Sequence, residues 1–589
     1  MVRIFKYLKI KEWLAILISI VFIVAQVWLD LKLPEYMQEI TTLVETEGSA
    51  MQDILIQGGY MLLCAIGSVI AAVAIGFLSS FVAATMAMRL RKEVFNKTIS
   101  FSMEEINNFS TASLITRSTN DITQIQMFIG MGLQFIVRAP IMAVWAIIKI
   151  YNKSWEWTLS TAIGVVILVS MLSVIIIFAV PKFKIIQNLT DSLNRVTREN
   201  LSGLRVIRAY NAEDYQENKF DSANIKLTKT NLFTNRLMAI IQPTMTIIAS
   251  GLSVAIYWIG AILINNASFS NRIQVFSDMI VFSSYAMQVI MSFMMLTMIF
   301  IMLPRASVSA KRIMAVLDTK PRIIDGKNND LVSDSSGDVE FRNVFFAYPD
   351  AVENVLENIS FTLHQGESLA IIGATGSGKS TLVNLLPRFY DASQGEILID
   401  GINVKEYSQE NLHQKIGYVS QKAILFSGTI ASNVTYGSKT DSSAEQEKED
   451  ILQALKIAQA EDFVHQLPKQ ELAQVAQGGS NFSGGQKQRI SIARAIYKKP
   501  EIYVFDDSFS ALDYKTDKLL REALRKYSQG VTSIIVAQRI GTIKDADHIL
   551  VLDEGKIVGY GKHQDLLTNC EVYREIALSQ LTQEELNHE

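Results

Sequence analysis

Gly373-Ala374-Thr375-Gly376-Ser377-Gly378-Lys379-Ser380-Thr381 is the stretch that decides the fold of the C-terminal half. It fits the phosphate-binding pattern GxxxxGK[ST]. The apolar run Leu369–Ile372 before it predicts a buried strand, and the residues from Thr381 to Leu386 begin a helix. Glycines let successive backbone N–H groups turn inward around phosphate oxygens, and a helix N-terminus adds favourable partial charge. Lys379 is expected to reach the β- and γ-phosphates, and the Ser380 hydroxyl to bind Mg²⁺. A chance glycine-rich turn would have no reason to sit between that strand and that helix.

Further along, Ile502-Tyr503-Val504-Phe505-Asp506-Asp507 is an apolar strand ending in two carboxylates. Asp506 is placed to hold Mg²⁺ through water, as a strand-end acid does in phosphate-loop nucleotidases. Short apolar strands such as Ser368–Ile372, Ile502–Phe505 and Ser533–Ala537 alternate with helical stretches, which predicts a soluble α/β domain. A polar stretch, Asp325–Asp338, marks where that domain begins.

Upstream of it the composition changes. The chain has 589 residues, too many for one ordinary domain. Its hydrophobic fraction is 49% and its charged fraction only 19%, below the roughly 25% of soluble domains. Charges are sparse in long stretches before Leu303 and common after it. Six apolar segments reach the roughly 20 residues that a bilayer span takes: Trp13–Leu33, Ile54–Phe81, Phe128–Tyr151, Leu159–Ala179, Ile240–Ile264 and Met279–Leu303. A short polar turn around Asn152–Glu156 separates the third from the fourth. The first run follows Arg3, Lys6, Lys9 and Lys11, but it is too long for a signal-peptide core and no small-residue cleavage site follows, so it reads as a retained helix.

Lys and Arg set the expected orientation. They fill the N-terminus, the connection after the second segment (Arg89, Arg91, Lys92, Lys97, Arg117), the connection after the fourth (Lys182, Lys184, Arg195, Arg198, Arg205, Arg208) and the region after the sixth (Arg305, Lys311, Arg312). The loop after the first segment carries Glu35, Glu39, Glu45, Glu47 and Asp53 instead. Both termini and both long connections are therefore expected in the cytoplasm of a cell-membrane protein. Within those connections Met86–Ser100 and Ser192–Lys226 read as helical, so the membrane helices should project well beyond the bilayer. Arg138 inside the third segment should face protein or water, since a lipid-facing Arg is costly. Met279, Met287, Met291, Met294, Met295, Met298 and Met302, with Phe282, Phe293 and Phe300, make the sixth segment adaptable to apolar ligands of varied shape. One face of it is a candidate cargo lining.

A net charge of -3 gives no reason to expect nucleic-acid binding. Two cysteines, Cys64 and Cys570, make no disulfide framework and no metal pattern.

Asn481-Phe482-Ser483-Gly484-Gly485-Gln486 resembles the LSGGQ signature of ATP-binding-cassette (ABC) proteins, with Phe482 in the Leu place. It precedes Asp506–Asp507 as in that family, and six membrane segments followed by one cassette is similar to an exporter-type half-transporter (type IV fold). The resemblance covers nearly the whole chain. It implies a membrane all-α domain of six helices with cytoplasmic extensions (1–320), a linker (321–338) and an α/β phosphate-loop nucleotide-binding domain (339–589). It also implies ATP with Mg²⁺, Tyr348 stacking on adenine, Gln421 touching the metal and, in Ser510-Ala511-Leu512-Asp513, the D-loop. Glu199–Asp214 resembles the stretch that carries a coupling helix.

Two positions depart from the family pattern. The residue after the strand-end Asp is normally Glu, which orients the attacking water; here it is Asp507, shorter by one methylene, in a site where 1 Å matters. The switch histidine is Gln538, which can hydrogen-bond a phosphate but carries no proton or charge. Together they resemble the degenerate half of a heterodimeric multidrug exporter. Cassettes of the family meet head to tail, so this chain is expected to bind ATP at its own loop with slow hydrolysis. It would offer Ser483, Gly484, Gly485 and Gln486, beside Asp513, to the nucleotide of a homologous partner chain. Hydrophobic or amphipathic small molecules are the expected cargo. A lipid or peptide exporter, an ATP-gated channel or regulator, and an importer on the same fold stay open.

Overall fold

The computed structural model describes residues 2–46, 48–151, 155–268, 271–326, 337–349, 351–438 and 443–580. Two compact units emerge: Met1–Ile99 with Thr111–Thr319, and Ser100–Ser110 with Lys320–Glu589.

The first unit follows from apolar composition. Its helices are α1 (Ile10–Glu45), α2 (Met51–Ile99), then, beyond a short α3 (Met103–Phe109) that belongs to the second unit, α4 (Thr111–Ser118), α5 (Asn120–Tyr151), α6 (Trp155–Ser202), α7 (Leu204–Ala209), α8 (Glu213–Ala239), α9 (Ile241–Asn266) and α10 (Arg272–Asp318). Among the described residues they form six helical stretches long and apolar enough to cross a membrane, matching the six expected segments. Of the turn expected at Asn152–Glu156, residues 152–154 lie outside the described residues, as does most of the 321–338 linker. The 49 residues of α2 span roughly 70 Å at 1.5 Å each, more than twice a bilayer's hydrocarbon core. The helix thus extends far past the membrane, as Met86–Ser100 predicted. Pro34, Pro140, Pro181 and Pro304 lie inside these helices, where neighbouring groups can re-satisfy the freed carbonyls.

Ser192–Lys226 is helical, as expected, with interruptions at Gly203 and at Tyr210–Ala212 that set the six-residue α7 apart between α6 and α8. Gly is a poor helix former, and Asn211 takes a left-handed φ of 49°, which Asn tolerates better than most residues.

The core of this unit gathers Ile23, Val27 and Leu31 of α1, spaced one turn apart, with Phe282, Tyr285, Ala286 and Val289 of α10. Trp157 is buried and donates its indole N–H to the Ile256 carbonyl at 3.1 Å. Charges inside this apolar bundle are paired. Arg138 of α5 donates to Asp30 of α1 at 2.9 Å, and Asp30 also accepts from Ser68 of α2 at 2.5 Å. Lys149 and Lys32 both hold Glu35. Arg138 thus faces protein, as its cost in lipid demands. Cys64 and Cys570 are both free and buried.

The second unit is built on two main sheets, with a two-stranded pair, Gly428–Thr429 and Gln474–Val475, beside them among the described residues. The larger runs in the order Lys556–Gly561, His548–Asp553, Ser368–Ile372, Thr532–Val536, Ile502–Asp506, Ile416–Val419. It is parallel except for the antiparallel edge pair His548–Asp553 and Lys556–Gly561. The smaller is antiparallel, with Val339–Phe346 between Leu356–Leu363 and Gln394–Ile399. Strand Ile502–Asp506 is buried on both faces: Ile502 and Val504 enter one core, Tyr503 and Phe505 another. That is the period-2 alternation of a central strand.

Helix α3 is part of this unit although it lies between α2 and α4 in sequence. Glu105 closes a capping box on Ser102, accepting from its backbone N–H at 2.7 Å, and also accepts from the Arg322 N–H at 3.0 Å. Glu104 pairs with Arg322, and Asn107 lies 3.4 Å from the Tyr390 hydroxyl.

Removing one partner of an interior ion pair leaves the other charge stranded, at about 3–5 kcal/mol for a fully buried pair. The Asp30 and Arg138 side chains keep 16% and 28% exposure, so the expected loss is smaller, roughly 2 kcal/mol. Arg138→Gln should lower the detergent-solubilised protein's unfolding temperature, and adding Asp30→Asn should recover much of the loss. An additive double variant would show that the pair is not coupled.

Candidate functional site

The loop after strand Ser368–Ile372 is shaped by what stands beside it. A Cβ on Gly373 would lie 1.9 Å from the Leu552 carbonyl oxygen, so only glycine passes there. Gly378 is the N-cap of the helix Lys379–Leu385 with φ +99°, a conformation natural to glycine. The Lys379 ammonium folds over the loop and donates to the Gly373 and Ala374 carbonyls at 2.9 and 2.7 Å. Burial pushes the Lys379 amine below its usual range, opposed by the carboxylates of Asp507 and Asp506. The buried Ser377 hydroxyl has no hydrogen-bond partner among the described residues. A cation satisfied only by loop carbonyls and an orphaned hydroxyl are what an anion-binding loop should present, and they fit a bound phosphate.

Strand Ile502–Asp506 brings the acids to this loop. Ser380 donates to Asp506 Oδ1 at 2.8 Å. A hydroxyl and a carboxylate so placed suit a hard, oxygen-liganded cation such as Mg²⁺. Burial pushes the Asp506 carboxyl up, offset by the Ser380 hydrogen bond.

Asp507 follows at φ +47°, held by its N–H to the Val536 carbonyl at 3.1 Å. Its Oδ2 accepts two side-chain amides, Gln421 at 3.1 Å and Gln538 at 2.8 Å. The structure therefore joins Asp507, Gln421 and Gln538 in one cluster. Tyr348 packs edge-on against Phe346 and Tyr390, and its hydroxyl lies 3.0 Å from Thr381 Oγ1. Ala374, Thr375 and Gly376 are exposed along the loop.

The signature residues stand elsewhere in the same unit. Ser483 caps the helix Gly484–Tyr497 in a capping box with Gln486, whose Oε1 accepts from the Ser483 N–H at 2.9 Å. Phe482 is buried in a core distinct from the one beneath the phosphate loop, which explains why a large apolar residue is accepted in the Leu place. A Cβ on Gly485 would lie 3.1 Å from the Ala511 carbonyl oxygen, so the loop rests on the D-loop. Asp513 caps the helix Tyr514–Tyr527 through the Thr516 N–H at 3.0 Å, and that contact lowers its carboxyl pKa. The exposed Ser483, Gly484 and Asp513 thus point their polar groups away from the core that fixes them.

Sequence reading missed α3. Its signal was present in Ser102-Met103-Glu104-Glu105, an S-x-x-E capping box. It also missed Tyr418 and Asn384, which no motif marks.

Residues 16–303 match the family described as ABC transporter transmembrane region, and residues 356–510 match ABC transporter. The chain is 42% identical over 523 residues to an uncharacterised ABC transporter ATP-binding protein of Mycobacterium bovis, covering 89% of this chain and 87% of that one. It is 32% identical over 525 residues to an ATP-dependent lipid A-core flippase of Haemophilus influenzae, covering 88% and 86%. In fold it is similar to a bacterial Atm1-family ABC exporter with ATP bound: TM-score 0.82, 24% identity, 97% of this chain and 99% of that one.

Gly373→Ala should abolish ATP binding, because the methyl group meets backbone oxygen that cannot give way. Gly376→Ala has open space and only its φ of +88° against it, a strain of about 1 kcal/mol, so it should weaken binding far less. Equal losses in nucleotide-binding assays would refute this account of the loop.

Proposed function

This chain belongs to the ABC transporter family, and from that premise we propose that it is the regulatory half of a heterodimeric exporter that moves hydrophobic or amphipathic compounds outward. Six apolar spans and an ABC cassette make it a multi-pass membrane protein of ATPase-coupled transport. The division into 1–320, 321–338 and 339–589, and the placement of both termini in the cytoplasm, are part of the same reading, supported by the Lys and Arg distribution.

The Asp507 carboxylate carries the proposal. A general base must reach the attacking water and hold a proton at one oxygen. Asp507 is a methylene shorter than the family's Glu, and its Oδ2 already accepts two amide protons. Those two contacts engage one of the only two oxygens that could face the attacking water. Gln538 donates an N–H but can neither take up nor return a proton. Lys379, Ser380, Ser377 and the loop N–H groups would still bind and orient the nucleotide, with Tyr348 against its base. Mg²⁺, when bound, would neutralise charge on the phosphate oxygens, held by Ser380, Gln421 and, through water, Asp506. Hence this site holds ATP and turns it over slowly. Ser483, Gly484, Gly485 and Gln486 would serve the partner's nucleotide, where the faster hydrolysis takes place.

Cargo is read from α10. Met287, Met291 and Met298, spaced four and seven residues apart, are exposed on one face, whereas Met279 is buried. Thioethers on an open face adapt to varied apolar shapes. The likeness to lipid A-core flippases favours a second reading, a lipid cargo with the same site chemistry.

Asp507→Glu with Gln538→His, in the assembled transporter with the partner's site disabled, should raise ATP hydrolysis at least roughly tenfold; general-base catalysis contributes about 10²–10⁴. Purification of this chain alone as a fully active homodimer would overturn the asymmetric reading. Reconstituted vesicles separate the cargo readings: ATP-dependent efflux of hydrophobic dyes against translocation of labelled lipid.

A further inference from the structure

Tyr418 and Asn384 have no place in the motifs, yet Tyr418 lies beside the carboxylate assigned to Mg²⁺ and Asn384 holds Tyr418. Asn384 lies one helical turn beyond Ser380 on the helix Lys379–Leu385, so both face strand Ile502–Asp506. Tyr418 comes from the neighbouring strand Ile416–Val419, parallel to Ile502–Asp506 with Tyr418 opposite Val504. Its hydroxyl donates to Asn384 Oδ1 at 2.8 Å and lies 3.5 Å from Asp506 Oδ2. The ring is fixed edge-on against Phe389, with centroids 5.4 Å apart. Asp506 is therefore bracketed: Ser380 on Oδ1, the phenol on Oδ2.

The two brackets differ in their obligations. The Ser380 hydroxyl must divide itself between Asp506 and the metal, whereas the Tyr418 hydroxyl meets only protein. A phenol has one proton, and here Asn384 takes it. Asn384 thereby fixes where the phenol oxygen sits, and the phenol oxygen limits how far Oδ2 can swing.

We infer that Tyr418, oriented by Asn384, is a positioning residue that presets Asp506 for Mg²⁺ at this chain's own nucleotide site. The inference rests on the assignment of Asp506 and Ser380 to the metal. Outer-shell partners of a metal ligand are commonly worth 10–100-fold in metal affinity, and a 3.5 Å contact belongs at the lower end.

The test uses the full chain in lipid nanodiscs and trinitrophenyl-ATP as probe, titrated with Mg²⁺ and, separately, with excess EDTA. Tyr418→Phe removes one oxygen and keeps the ring. It should raise the Mg²⁺ concentration for half-maximal binding roughly tenfold, while binding in EDTA stays within about twofold of wild type by the same argument, since no metal is then involved. Asn384→Ala should shift the Mg²⁺ midpoint in the same direction. A Tyr418→Phe protein with wild-type Mg²⁺ dependence, beside an Asp506→Asn protein that has lost it, overturns the inference and leaves the metal assignment standing. An unchanged Asp506→Asn protein overturns both. Equal weakening of Tyr418→Phe with and without Mg²⁺ shows a general structural role and also overturns the inference.

Discussion

Burial of strand Ile502–Asp506 on both faces is the constraint from which the nucleotide unit follows. Its odd and even residues feed two different cores, one under the phosphate loop and one under the signature helix. A central strand between parallel neighbours has its ladder hydrogen bonds made on both edges, so neither core can shift without the other. The chain then leaves the sheet at Asp506–Asp507, where the apolar run ends and two carboxylates emerge beside Lys379 and Ser380. Position, more than intrinsic chemistry, makes these acids useful.

The same constraint separates the two chemical roles of the chain. Phosphate-binding groups rest on one core, while Ser483 and Gly485 rest on the other and on Ala511. Each loop is fixed by backbone geometry and capping, so each is ready before anything binds. At Asp507 a left-handed φ and two amides on one oxygen hold the residue in a specific pose. The two positions at which this chain departs from the family pattern, 507 and 538, are thus joined by one hydrogen bond.

Much of this was legible in the sequence because it is local. The phosphate loop needs Gly373 and Gly378 at fixed positions, a bilayer needs long apolar runs, and a capping box needs Ser483 and Gln486 three apart. What escaped reading was non-local or weakly coded. Gly203 and Asn211 break a stretch whose composition otherwise suits one helix. Tyr418 meets Asn384 only because two strands lie side by side. Arg138 called for a partner, but nothing in its own segment named Asp30, in a helix far away in sequence. Gln538 donates to Asp507, a contact that no spacing in the sequence announces.

The short helix α3 changes what counts as the cassette. A protein cut at Lys320 would retain every nucleotide motif but lose Ser100–Ser110. Arg322 would then lack the Glu104 carboxylate, its N–H would lack Glu105, and Tyr390 would lose Asn107. The surface so uncovered lies on the same aromatic group, Tyr390 and Tyr348, that borders the phosphate-loop helix. Excision along the sequence is thus not excision along the fold: a soluble fragment defined by its motifs would carry an open seam, and its nucleotide affinity would report on that seam as well as on the site.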